Sequence, residues 1–210
     1  MIDPALPALP PALDLAGIAV FALSGALLAA RLRQTFVTMA FFALVTGVGG
    51  GTVRDLLIGA PVFWVRDPWV APICLGVALA AWFAPQAWWP KHDQNFRLLE
   101  WLDAGGLAAY ATLGAAKALV FGIAPVPAVV MGVVTGCVGG IIRDVIAGRP
   151  SILMRPELYV TAAALSACLC VLGTLAELPN AITWGVAVVG GFSLRAAALV
   201  WGLALPGHRG

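Results

Sequence analysis

The chain has 210 residues, 61% of them hydrophobic and only 10% charged, with a mean hydropathy of +0.97. Soluble domains carry about 25% charged residues, so a water-facing surface cannot be assembled here and the natural solvent is lipid. The net charge of +2 is dispersed, which leaves no basic stripe for nucleic acid.

A membrane-crossing helix needs about 20 mostly apolar residues. Seven stretches qualify, at 13–30, 35–59, 68–82, 99–119, 127–148, 157–175 and 181–203. The third is shortened by Pro85. The sequence before the first stretch lacks the basic region of a cleavable signal peptide, so that stretch is expected to be retained. Arg31, Arg33, Lys91, Arg97, Arg149, Arg155 and Arg209 fall on one set of connectors, against Arg66, Asp67 and Glu177 on the other. By the positive-inside rule the N-terminus lies outside and the C-terminus in the cytoplasm. Trp64, Trp69, Trp82, Trp88, Trp89, Trp101, Trp184 and Trp201 all sit near expected interfaces, where an indole ring anchors in lipid. Cys74, Cys137, Cys168 and Cys170 lie inside apolar stretches without metal or redox spacing, and read as small buried hydrophobes.

One constant offset aligns two halves of the chain. Asp14 matches Asp103, Gly25 matches Gly114, Thr46 matches Thr135, and Gly50 matches Gly139. Arg54 matches Arg143, Asp55 matches Asp144, Gly59 matches Gly148 and Pro61 matches Pro150, each 89 residues on. Charged pairs and prolines in register carry the match, since alanine and glycine alone would not in so biased a composition. Three spans per copy is an odd number, so the second copy enters the membrane from the opposite side. The expected fold is therefore all-α and integral to the membrane, with seven helices. Residues 13–89 form the first repeat, 99–176 the second, inverted one, and 181–203 a seventh helix.

Each copy has a glycine-rich second span. The first reads Thr46-Gly47-Val48-Gly49-Gly50-Gly51-Thr52-Val53-Arg54-Asp55, and the second Thr135-Gly136-Cys137-Val138-Gly139-Gly140-Ile141-Ile142-Arg143-Asp144. Each glycine costs an isolated helix up to about 1 kcal/mol relative to alanine, so a kink or an unwound stretch is expected there. Two readings compete. Gly47/Gly51 and Gly136/Gly140 are GxxxG spacings that let helices pack closely. Alternatively, freed carbonyls and the hydroxyls of Thr46, Thr52 and Thr135 line a polar pathway, which packing alone would not follow with an Arg-Asp pair. Those pairs read either as structural ion pairs or as a charged ring at each mouth. Residues adjacent in a helix point about 100° apart, so Arg54 need not pair with Asp55, and a partner from the other repeat is open to it. Lys117 suits either snorkelling or gating. Asp14 and Asp103 read as N-terminal caps, and Arg195 as a snorkelling anchor. No phosphate loop, metal-ligand spacing or nucleophile elbow is present, so an enzyme is not expected and no cofactor is implied.

The paired Gly-Gly-x-x-Arg-Asp segments resemble those of prokaryotic TRIC proteins, the trimeric intracellular cation channels, over residues 13–203. The same domain also carries a glycine transporter label and the UPF0126 designation. The resemblance implies a homotrimer with a pore in each protomer and passage of monovalent cations, chiefly potassium and also sodium, in a lipid-embedded cell-membrane protein. Gly49–Gly51 and Gly139–Gly140 would form the kinks, and Arg54, Asp55, Arg143 and Asp144 would line or brace the pore. Animal members carry a Lys-Glu-Val motif tied to gating. Lys117-Ala118-Leu119 lacks its glutamate, and that role is not carried over from the family. The glycine transporter label keeps a carrier for a small zwitterion in play.

Overall fold

A computed structural model describes residues 11–84, 92–154 and 158–205. Lys91, Arg155, Arg209, Trp88 and Trp89 lie outside them. Eight helices occur among the described residues: α1 (Pro11–Arg31), α2 (Phe36–Leu57), α3 (Phe63–Arg66), α4 (Val70–Phe83), α5 (His92–Val120), α6 (Pro125–Ile146), α7 (Val160–Leu175) and α8 (Asn180–Trp201). The α1, α2, α6 and α8 helices are long and apolar enough to cross a bilayer. α4 and α7 are apolar but short, at 14 and 16 residues. α5, at 29 residues, begins seven positions before its expected span, so Arg97 falls inside a helix and not in a connector. Its polar first turns hid that start from a hydropathy reading. The four-residue α3 was not expected at all.

Local chemistry accounts for the ends. Thr35 caps α2 through an Oγ1 that accepts from the Thr38 amide, and prolines open α6. Both glycine-rich helices stop at a left-handed glycine, Gly59 (φ 67°) and Gly148 (φ 64°), where a side chain would be strained. The residues just beyond them close each end with matching bonds, Ala60 N–H to the Asp55 carbonyl and Arg149 N–H to that of Asp144.

Within the first half α1 packs on α2 and α4, and within the second α5 packs on α6 and α7. The halves meet through α2 with α6 and α1 with α5, while α8 lies against α7 and α5. Large apolar residues such as Val37, Phe41, Leu79, Val126, Leu172 and Val189 remain exposed, as a lipid-facing surface requires. The all-α membrane fold expected from the sequence is the one observed.

The tryptophans divide. Trp69 and Trp201 are exposed, as interfacial anchors should be, but Trp184 is buried in the core between α5, α6, α7 and α8. Trp64 instead donates its indole N–H to Thr52 Oγ1 at 2.9 Å. Cys74, Cys137 and Cys170 are buried free thiols, and Cys168 is half-buried.

Candidate functional site

α2 and α6 are helical without interruption through their glycine runs; the unwound alternative does not occur. The glycines serve approach instead. A methyl group on Gly50 would strike the backbone of Thr135, and one on Gly139 would lie 2.6 Å from the Thr46 carbonyl oxygen. Residue 46 meets 139 while 50 meets 135, so the two helices cross antiparallel. Each of these contacts is the other's counterpart at the 89-residue offset. So are Gly25 against Thr46 and Phe42, and Gly114 against Thr135 and Met131. Phe21 and Tyr110, also equivalents, stack edge-on at 5.1 Å across the α1–α5 contact.

The outer members of the GxxxG pairs face elsewhere. Gly47 lies against Cys74 and the Ile18 carbonyl, Gly51 against Phe63, Gly136 against Leu107 and Ala111, and Gly140 against Tyr159 and Asp103. Gly49 approaches Ile142. Among the threonines, Thr135 donates to the Met131 carbonyl at 2.6 Å and Thr52 to that of Val48 at 2.7 Å, whereas the buried Thr46 hydroxyl has no partner.

Because the crossing is antiparallel, the charged residues one turn beyond Gly50 and Gly139 fall on opposite sides of it. On the first side Asp55, fully buried, collects three donors. Its Oδ1 accepts from Arg54 Nε at 2.8 Å and from Lys117 Nζ at 2.8 Å, and its Oδ2 from the Phe63 amide at 3.0 Å. The Phe63 ring lies 5.9 Å from the Arg54 guanidinium and 5.8 Å from the Lys117 ammonium, within cation–π range. α3 exists to deliver that amide and that ring. Adjacent residues therefore do pair, and a partner from the other half joins them. Lys117 does not snorkel; it is held on Asp55.

On the second side Arg143 is 2% exposed. Its Nη1 donates to Asp103 Oδ1 at 2.8 Å and to Ser24 Oγ at 3.0 Å, and its Nε to Asp144 Oδ1 at 2.9 Å. Asp103 is thus no helix cap. It sits eleven residues into α5, buried, as the counter-ion of Arg143. The early start of α5 moved it from a helix end to a helix middle. Asp14 lies three residues inside α1, half-buried in its first turn, where its charge complements the helix dipole without being the cap residue.

Arg195 also departs from expectation. It is fully buried and lies over the Tyr159 ring at 5.4 Å, so it is no snorkelling anchor. Ser24, Phe63, Tyr159 and Arg195 were not singled out as site residues. One signal was available: the chain has only two tyrosines, and both are buried in the interior.

The glycine transporter family model matches twice, at residues 11–86 and 100–174. The UPF0126 inner membrane protein YadS of Escherichia coli K12 is 37% identical over 207 residues, covering 92% of this chain and 93% of its own length. A solved TRIC trimeric intracellular cation channel orthologue from Rhodobacter sphaeroides is 42% identical. It superposes with a TM-score of 0.86 over 91% of this chain and 97% of that one. A prokaryotic TRIC channel crystallised in 0.5 M KCl is 26% identical, with a TM-score of 0.84 over 92% and 97%.

Proposed function

The chain belongs to the glycine transporter family, alongside the UPF0126 membrane proteins, and from that premise we propose that it is a channel for monovalent cations, chiefly potassium. The observation that carries this reading is the antiparallel α2–α6 crossing with one charged cluster on each side, in a chain 42% identical to a TRIC cation channel orthologue. Contact between the backbones at Gly50 and Gly139 leaves no space for an ion between them. The route therefore passes beside the crossing, from the Asp55 cluster to the Arg143 cluster, within each protomer of a homotrimer. Thr46, Thr52, Thr135 and the surrounding glycines border it.

Residues 13–89 and 99–176 act as oppositely oriented repeats, with 181–203 outside both. The N-terminus lies outside the cell membrane, the C-terminus lies in the cytoplasm, and lipid surrounds the trimer. This placement puts Arg54 and Asp55 near the outer mouth and Arg143 and Asp144 near the inner one.

Lys117 closes the outer end by bridging from α5 to Asp55 on α2. Replacing Lys117 with Gln should raise potassium flux into liposomes about fivefold, the factor that roughly 1 kcal/mol in a closed–open balance supplies. Unchanged or lower flux would remove Lys117 from gating.

A second reading is a glycine carrier, favoured by the description of the family model. Potassium, sodium and labelled glycine flux in one reconstituted preparation separates the two. Ohmic cation currents without glycine exchange support the channel, while saturable glycine uptake by electrically silent protein supports the carrier.

A further inference from the structure

The helix outside both repeats carries a buried charge that the proposed pathway does not use. Arg195 on α8 is 0% exposed and is the largest fully buried side chain among the described residues. Placing a guanidinium at membrane depth is costly, and a leucine would fill the space without that cost. Retaining a cation there calls for an electrostatic reason.

Its surroundings supply one. The guanidinium lies on the face of Tyr159, 5.4 Å from the ring centroid. The far end of that ring points to Gly140 on α6. A methyl on Gly140 would stand 3.0 Å from Tyr159 Oη, 3.3 Å from Asp103 Oδ1 and 3.7 Å from Arg143 Nη2. Hydroxyl, carboxylate and guanidinium thus converge on one bare patch of helix, where a methyl would press on the first two. Asp103 uses Oδ1 on Arg143, whereas its Oδ2 and the Tyr159 hydroxyl are both buried and neither makes a hydrogen bond, so each gains by turning toward the other. In a medium of low polarity two such groups set each other's orientation.

We propose that Arg195 and Tyr159 are positioning residues for the Arg143 end of the pathway. Arg195 fixes the Tyr159 ring, the Tyr159 hydroxyl orients the Asp103 carboxylate, and Asp103 holds Arg143. The series runs from α8 through Tyr159, the residue just before α7, and α5 to α6, each helix packed on the next, and it makes α8 a control element for a pathway built by the repeats. The contrast with the other side is physical. Arg54 shares its one carboxylate with Lys117, while Arg143 is held by Asp103, Asp144 and Ser24 together.

This inference rests on the presence of a transport pathway, so the test separates the two. Wild-type protein and the variants Tyr159→Phe, Arg195→Met and Arg195→Lys are reconstituted at equal trimer content. Each is assayed for potassium flux, glycine flux and reversal potential in a KCl gradient. Wild-type protein passing potassium or glycine secures a pathway of one kind or the other, and its ion-to-glycine ratio decides the functional reading independently of the variants.

Tyr159→Phe removes one oxygen and keeps the ring, so the protein should fold. Its transport rate should change by roughly two- to thirtyfold, the range given by coupling networks, with a shifted reversal potential if the solute is an ion. Arg195→Met should match it, the double variant should add nothing further, and Arg195→Lys should recover part of the wild-type behaviour. Rates and reversal potentials equal to wild type in Tyr159→Phe, or additive effects in the double variant, would overturn the series. So would a wild type that carries neither solute.

Discussion

Asp103→Ala should lower the stability of the detergent-solubilised protein by about 3–5 kcal/mol, the penalty for stranding one member of a buried ion pair. Its counterpart Asp14→Ala should cost less than about 1 kcal/mol, in the range of weak, partly solvated pairs. The two residues occupy equivalent positions, so composition and repeat register assign them equal importance. Their surroundings do not. Asp103 is 1% exposed and takes a 2.8 Å hydrogen bond from Arg143, while Asp14 sits half-buried in the first turn of α1. Without Asp103, Arg143 keeps Asp144 and Ser24 but loses a full counter-charge. Thermal unfolding of both variants measures the contrast. Equal losses would mean that the Asp103–Arg143 bond adds nothing beyond what a half-buried carboxylate such as Asp14 contributes.

Gly50→Ala and Gly139→Ala should each destabilise the fold by about 1–3 kcal/mol, as overpacking does, and should also disturb transport, because they part α2 from α6 at the point between the two charge clusters. The atoms that a new methyl would meet are backbone, Thr135 and Thr46 respectively, so no side chain can turn aside to relieve the clash. Gly105→Ala is the control. It lies in the interior of α5 with nothing within 4 Å of an added methyl, and alanine is the better helix former there by up to about 1 kcal/mol. A fall in melting temperature for the crossing variants and no fall for Gly105→Ala would bear this out. If the crossing variants unfolded no earlier than wild type, the glycines would not be needed for close approach.

The glycine runs show where a sequence reading stops. Counting glycines singles out α2 and α6, but helix propensity alone suggests broken rods. Intact helices persist because the neighbouring helix fills the space each missing side chain leaves, and tertiary packing overrides a propensity deficit of this size. The charged residues teach a similar lesson. Arg54, Asp55, Arg143 and Asp144 were legible as a repeated pair. Lys117 was ambiguous, and Asp103 and Arg195 were assigned to helix ends and interfaces. Those two errors arose from the boundary of α5 and from the burial of α8 against α7, neither of which hydropathy records.

Lipid as the solvent, the helical class and the duplication at 89 residues were all determined by the chain itself. Each depends on composition or on residue types in register, which are local or periodic properties. Which carboxylate each cation holds was decided only by the tertiary structure. Asp55 binds Lys117 from 62 positions away, and Arg143 binds Asp103 from 40 away. Such pairings are set by the crossing of helices and the direction in which each side chain leaves its helix, and in a low-dielectric interior a shift of a few ångströms decides which charge is neutralised.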